Sequence, residues 1–274
     1  RWPLGSLWSW CWRPDWSGTS AAWDKGGRTR MSTFRIGTQL TNSRDRYSAA
    51  MSVTSLTASS QTYLKAIWNL QEWSDDPVGT SMLAAKVGVR LSTVSEAVRK
   101  LTEQGMLQHT RYGSVALTEE GAQHAVAMVR RHRLIETFLA ETLGYRWDQV
   151  HEEAEALEHV VSDFMVDRID ELLGYPTKDP HGDPIPSRAG DIEHPDGAVQ
   201  LSAVHPGVVV RVERVADGDP GLLQFLAECG IGVGTRMEPR PGAPYSDSIE
   251  VTVADRAIPL GRSATDAVWV SVEG

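Results

Sequence analysis

The stretch HEEAEALEHVVSD, residues 151–163, sets two imidazoles and two carboxylates where a single helix would align them: His151, Glu155, Glu158 and His159. At about 100° per residue these four fall within an arc of about 100°. Ala154, Leu157, Val161 and Phe164 fill the adjoining sector, so the charged group borders the buried side. Carboxylates gathered there repel each other and lose hydration unless a cation sits among them. RRHRLIE offers a second pair, His132 and Glu136, four residues apart on one face. Imidazoles and carboxylates converging from two elements make a ligand set for a divalent ion. With no thiolate among the six, Mn2+ or Fe2+ suits them better than copper(I) or structural zinc, and zinc remains an alternative. A solvated acidic helix is the rival reading, favoured for any one pair and less favoured for all six together.

These residues need helices to hold them, and the chain supplies the pattern. SQTYLKAIWNLQEW puts Tyr63, Ile67 and Leu70 on one face. TSMLAAKVGV reads as a short helix capped by Thr80 or Ser81. STVSEAVRKLTEQG reads as another, capped by Ser92 or Thr93 and closed by Gly105. Two short helices about a tight turn predict a helix-turn-helix. MLQHTRYGSVALTEEG follows as two extended runs about Gly113, which makes the unit a winged helix. Two long helices come next, AQHAVAMVRRHRLIETFLAETLG and WDQVHEEAEALEHVVSDFMVDRIDELLG, the pattern of a dimerisation unit. A Pro/Gly/Asp-rich connector then leads to alternating β-branched runs with one short helix, PGLLQFLAECG, expected to form a small β-barrel.

The expected fold is therefore multidomain, mainly α with a small β domain. Residues 56–122 form the winged helix, 123–176 the helical metal-binding and dimerisation domain, 177–198 the linker, and 199–274 an SH3-like barrel. The segment 1–55 carries six of the ten tryptophans without a sustained period and is expected to be a disordered or non-native extension, with an interaction tail as its rival.

Bulk properties narrow the function. Two cysteines among 274 residues rule out a disulfide framework and fit a reducing, cytoplasmic setting. No apolar run approaches the roughly 18 residues of a membrane span. A net charge of −9 argues against nonspecific nucleic-acid binding by the whole chain, yet Lys86, Arg90, Arg99, Lys100 and Arg111 face only Glu96 and Glu103 in their stretch. Enzyme signatures are missing. His151 and Glu152 are followed by Glu155 where a zinc peptidase helix needs its second histidine, and neither a phosphate loop nor a nucleophile elbow occurs. His124, His181, His194 and His205 are expected at the surface or in linkers.

SQTYLKAIW, STVSEAVRKL, VRRHRLIETFL, VHEEAEALEHVVSD and DPHGDPIP together resemble the diphtheria toxin repressor family over about residues 59–274, closest to its manganese-responsive members with an SH3-like domain. The resemblance implies a dimeric winged-helix repressor of metal-uptake genes that binds palindromic operator DNA when loaded with Mn2+ or Fe2+. It assigns Glu155, Glu158 and His159 to a primary site and His132, Glu136 and His151 to an ancillary site. Asp217 is the candidate completing the latter from the SH3-like domain. Glu155 stands where iron-responsive relatives carry cysteine, and a hard oxygen there favours Mn2+. The family's first-helix ligand position holds Thr62, preceded by Gln61, both weaker ligands. For DNA the resemblance points to Ser92, Thr93 and Ser95 at the start of the recognition helix, Arg99 and Lys100 toward phosphates, and Arg111 at the wing. The rivals are a winged-helix regulator that senses an organic ligand and, more remotely, a metal-dependent hydrolase.

Overall fold

The computed structural model describes residues 56–273 except 75, 110–112 and 196, so the expectations for segment 1–55 and for Arg111 lie outside the described residues. The first helix, α1 (Ala58–Glu72), begins where the Thr57 hydroxyl accepts the Ser60 amide, and it buries Tyr63, Leu64 and Ile67. Helices α2 (Thr80–Val87) and α3 (Leu91–Glu103) meet at Gly88, whose φ of 71° makes the left-handed turn. Their caps depart from expectation. Gly79 and Arg90 hold the N-cap positions without a side-chain bond, so Thr80, Ser81, Ser92 and Thr93 do not cap. The C-cap of α3 is Gln104, with Gly105 just beyond at φ 78°.

Strands β1 (Leu107–His109) and β2 (Val115–Leu117) pair antiparallel with Leu107 opposite Leu117, completing a wing. Leu64, Ile67, Leu83, Val94, Leu101, Leu107 and Val115 share one core. This is the winged helix that the periodicity called for.

Thr118 caps α4 (Glu119–Glu141), which packs against α1. The following segment was expected to be one helix and is two, α5 (Val150–Leu157) and α6 (Asp163–Leu172). Ser162 turns to extended backbone and accepts the Met165 amide, starting a new helix and leaving 158–161 as a turn. Glu158 thus ends α5, and His159 stands past it. Leu134, Ile135, Leu139, Val150, Ala154, Val161, Val166 and Ile169 form the second core.

The C-terminal unit contains β3 (Val199–Gln200), β4 (Val210–Val215), α7 (Pro220–Cys229), β5 (Arg236–Pro241), β6 (Ile249–Val253), β7 (Arg256–Leu260), α8 (Arg262–Asp266) and β8 (Val268–Val272). All pairings are antiparallel, in the order β3-β8-β4-β5-β6-β7. Val210, Val212, Met237, Val251, Ile258, Leu260, Val268 and Val270 point into one core, so the sheet curls around it. Helix α8 had no counterpart in the sequence reading.

The start of the connector is packed, not free. Asp179, His181, Asp183 and Ile185 are buried. Gly182, at φ 91°, passes so close to β4 that a Cβ would lie 2.1 Å from the Glu213 carbonyl oxygen, which only glycine permits. Arg214 of β4 donates to Asp183 and lies over the rings of Trp73 and Trp269, 4.5 and 4.3 Å from their centres. Asp183 also lies 3.5 Å from Arg133 of α4, which donates to both oxygens of Glu72 and to the Pro184 carbonyl. Among the described residues no helix is long and apolar enough to cross a membrane.

Candidate metal centre

Helix geometry gathers the ligand candidates around His132. Positions 132 and 136 lie one turn apart on α4, and α5 crosses them with His151 and Glu155 on its facing side. Two clusters result, one on each ring nitrogen of His132.

On the Nδ1 side, Glu158 Oε2 lies 2.6 Å away, and the ligand atoms of His132, Glu155 and Glu158 converge within 4.8 Å of one another. The cation in their midst was not foreseen: Lys65 of α1 donates to Glu155 Oε1 and Glu158 Oε2, each at 2.7 Å, and its Nζ lies 3.3 Å from His132 Nδ1. Gathering acids therefore did not require a metal ion to relieve them. Burial works against the Glu158 charge, but His132 and Lys65 outweigh it and hold its carboxyl below the ordinary range. Glu158 Oε1 is buried without a hydrogen-bond partner and lies 3.5 Å from His159 Nε2. His159 is otherwise held by α1: its Nε2 is 3.2 Å from Thr62 Oγ1, and its Nδ1 is 2.8 Å from Gln61 Oε1. Thr62 does face the cluster, through His159.

On the Nε2 side, His132 meets Glu136 Oε1 at 3.0 Å and His151 Nδ1 at 3.3 Å. Asp217, from the turn after β4, reaches His151 Nδ1 at 2.9 Å, so the C-terminal unit does supply a carboxylate here. Burial by itself would depress the His151 imidazolium, but Asp217 and Glu136 overcome it and hold it up at about 10. The Glu136 and Asp217 carboxyls are held far below their usual range against their own burial, chiefly by His132 and His151 respectively.

Two residues extend this second cluster. Asp179, Glu136 and His181 bring ligand atoms within 4.8 Å of one another. His181, expected at the surface or in a linker, is fully buried, as is most of His124. His181 Nε2 lies 2.8 Å from the Trp147 carbonyl, to which it donates, and its Nδ1 faces Glu136 Oε2, 3.9 Å away. Neither of those two atoms has a hydrogen-bond partner. Burial, together with the charges of Asp183 and Glu136, pushes the Asp179 carboxyl well up.

Three orphaned buried polar atoms, Glu158 Oε1, Glu136 Oε2 and His181 Nδ1, amid further carboxylates and imidazoles fit a divalent cation. Buried acceptors without partners are costly, and a cation is what such a set binds.

Helix α3 places Ser92, Thr93, Ser95, Arg99 and Lys100 on its exposed face, while Val94, Val98 and Leu101 are buried. Ser95 Oγ donates to the Leu91 carbonyl, and Arg99 is paired on its own helix with Glu96 and Glu103, both at 2.5 Å.

A winged helix tied through a buried His/Glu cluster to a helical pair, itself tied to a small β domain, defines a metal-responsive DNA-binding regulator. Family models bear this out across the described chain: the iron dependent repressor N-terminal DNA binding domain matches residues 55–115, the metal binding and dimerisation domain 118–187, and the FeoA domain 199–272. The iron-dependent repressor IdeR of Mycobacterium tuberculosis is 33% identical over 204 residues, covering 68% of this chain and 86% of that protein. The diphtheria toxin repressor of Corynebacterium diphtheriae is 33% identical over 196 residues, covering 67% and 84%. A solved manganese-dependent transcriptional repressor in complex with manganese superposes with a TM-score of 0.75 at 47% identity, covering 78% of this chain and all of that one. The chain belongs to the diphtheria toxin repressor family, and is a metal-dependent transcriptional repressor of the iron- and manganese-responsive kind.

Proposed function

We propose that this repressor responds to Mn2+, held by Glu155, Glu158 and His159, with Thr62 beside them, at a DNA-activating site, and by His132, Glu136, His151 and Asp217 at an ancillary one. The observation that carries the reading is the buried, unpartnered Oε1 of Glu158 beside His159, at the junction of α1 with α5. Three further points support the choice of ion: the candidates present only oxygen and nitrogen, Glu155 stands where a thiolate would favour a softer metal, and the 47% identical solved relative carries manganese.

A divalent ion there supplies positive charge that links α1 to the helical pair. Glu155, Glu158 and His159 then hold α1, and with it the winged helix, at a fixed angle. The exposed Ser92, Thr93 and Ser95 enter the major groove, and Lys100 meets phosphate. Arg99 reaches phosphate after exchanging one of its acidic partners. The protein acts as a homodimer on palindromic operator DNA. Exposed Val160, Phe164, Met165 and Leu172, along and just before α6, supply an apolar surface for the partner copy. Because metal and operator favour the same arrangement, each raises affinity for the other by the same factor.

The test is fluorescence anisotropy of a palindromic operator titrated with protein across Mn2+, Fe2+ and Zn2+, with light scattering for the oligomeric state. Tight binding is expected with Mn2+, and loss of that response in Glu155→Ala. Operator binding indifferent to all three ions, or a monomer bound to DNA, would sink it.

A further inference from the structure

We propose that Lys65 is a resident cation of the first cluster, limiting it to one divalent ion and directing that ion to the His159 side of Glu158. The proposal rests on the metal reading above and adds a role for a residue outside its ligand set.

Lys65 is 4% exposed, so its ammonium must find charge partners within the protein. It lies among Glu155 Oε1, Glu158 Oε2 and His132 Nδ1, the same three residues whose ligand atoms converge within 4.8 Å. By spacing these three residues could hold a divalent ion, and an ammonium already stands among them. A second cation at that point would meet the ammonium at contact range and at low dielectric, where like charges repel strongly.

The two oxygens of Glu158 are consequently unlike. Oε2 is shared by Lys65 and His132, whereas Oε1 has no hydrogen-bond partner and looks toward His159 Nε2 at 3.5 Å. Only that oxygen is available to an incoming ion without displacing Lys65. Thr62 Oγ1, 3.2 Å from His159 Nε2, lies on the same side. Lys65 also stands between this ion and the second cluster, because its Nζ faces the Nδ1 edge of His132 while Nε2 faces Glu136 and His151. Two ions that would otherwise share His132 and Glu158 are kept in separate sites.

Removing the ammonium should open the third position. Bound Mn2+ per protomer is counted on the full chain from the loss of the solution EPR signal of free Mn2+. Lys65→Gln and Lys65→Met are each expected to bind one more ion than the unaltered protein, and His159→Ala one fewer. Equal counts in the unaltered protein and both folded Lys65 variants, with His159→Ala still losing an ion, overturn the role of Lys65 and leave the metal reading standing. Should His159→Ala lose none, the metal reading falls and this proposal with it. If neither Lys65 variant folds, anomalous scattering from Mn2+-loaded crystals of the unaltered protein decides. An ion between Glu158 Oε1 and His159 with Lys65 in place supports the proposal, and an ion among Glu155, Glu158 Oε2 and His132 with Lys65 displaced overturns it.

Discussion

The two clusters flanking His132 are built from the same pair of helices yet balance their acids differently. On the Nδ1 side Glu155 and Glu158 are offset by His132 together with an ammonium from α1, and on the Nε2 side Glu136 and Asp217 are offset by imidazoles alone, chiefly His132 and His151 respectively. Each also ties a different domain to the helical pair: the first holds the winged helix through Lys65, Thr62 and Gln61, the second holds the FeoA domain through Asp217. A lysine ammonium that loses a carboxylate keeps its proton, whereas an imidazole held up by carboxylates falls back toward its solution value of about 6.5 when one is removed and can shed the proton. Losing an acid should therefore hurt the first cluster more than the second.

That asymmetry gives the largest expected effect. Glu158→Ala leaves Lys65 buried with Glu155 as its remaining carboxylate, and should cost about 3–5 kcal/mol in urea unfolding. It should also abolish the metal-dependent gain in operator affinity, a coupling expected to lie at about 5–150-fold. Glu136→Ala should cost less, about 1–3 kcal/mol, because His132 and His151 can relax by shedding protons. It should keep a weakened response to Mn2+. Equal losses in the two variants would remove the distinction.

The comparison sharpens at the clasp of the FeoA domain. Arg214 is buried against Trp73 and Trp269 and paired with Asp183, so Arg214→Ala leaves that carboxylate with Arg133 alone and removes the cation from both rings. A destabilisation of about 3 kcal/mol is expected. Asp217 lies three residues further along the chain, so loosening β4 should also lower Mn2+ affinity at the second cluster while sparing the first. Mn2+ titrations resolved by calorimetry would check this, and a parallel fall at both clusters would count against separate tethers.

How much of this was legible beforehand differs between the clusters in the same way. The winged helix, the long α4 and the meeting of His132, Glu136, His151 and Glu155 follow from helical periodicity and spacing, because residues four apart on one helix are neighbours wherever the helix goes; Glu158 and His159 were expected on that same helix and stand at its end and beyond it. Asp217 was readable only as a candidate, since its approach depends on how the FeoA sheet docks. Lys65 is the single charged residue between Ser59 and Gln71, and a lone lysine on a helix is ordinarily solvated, so nothing local shows that it meets Glu155 and Glu158. His181 and Asp179 were missed because a Pro/Gly-rich composition suggests a solvated linker, and nothing local reveals that Gly182 lets the backbone run against β4. The break at Ser162 was equally invisible to a pattern search, since the apolar period continues across it into α6 while the serine hydroxyl starts a new helix.

Thr62 allows a smaller, constructive test. Its hydroxyl faces His159 but also donates to the Ala58 carbonyl, so it is a poor ligand. Thr62→Asp should raise Mn2+ affinity at the first cluster by about tenfold, or about 1.4 kcal/mol, and leave the second unchanged. No change at either would mean that α1 donates no ligand.

The smallest effect tests the FeoA side by pH. Asp148, just before α5, accepts from exposed Arg146 and from Gln224 of α7. The Arg146 hydrogen bond, against the cost of burial and with help from Gln224, holds its carboxyl down at about 2. An unfolded aspartate titrates near 3.9. A depressed carboxylate stabilises the fold fully above the unfolded value, and the contribution disappears as pH falls through the folded one. Solvent around Arg146 screens the pair, so the contribution is about 1 kcal/mol or less. Asp148→Asn should therefore flatten the loss of stability between about pH 4 and pH 2 while changing neither Mn2+ stoichiometry nor operator binding at neutral pH. Unfolding midpoints of the two proteins measured across that window would decide, and parallel curves would mean that Gln224 and Arg146 do not fasten α7 to the helical pair.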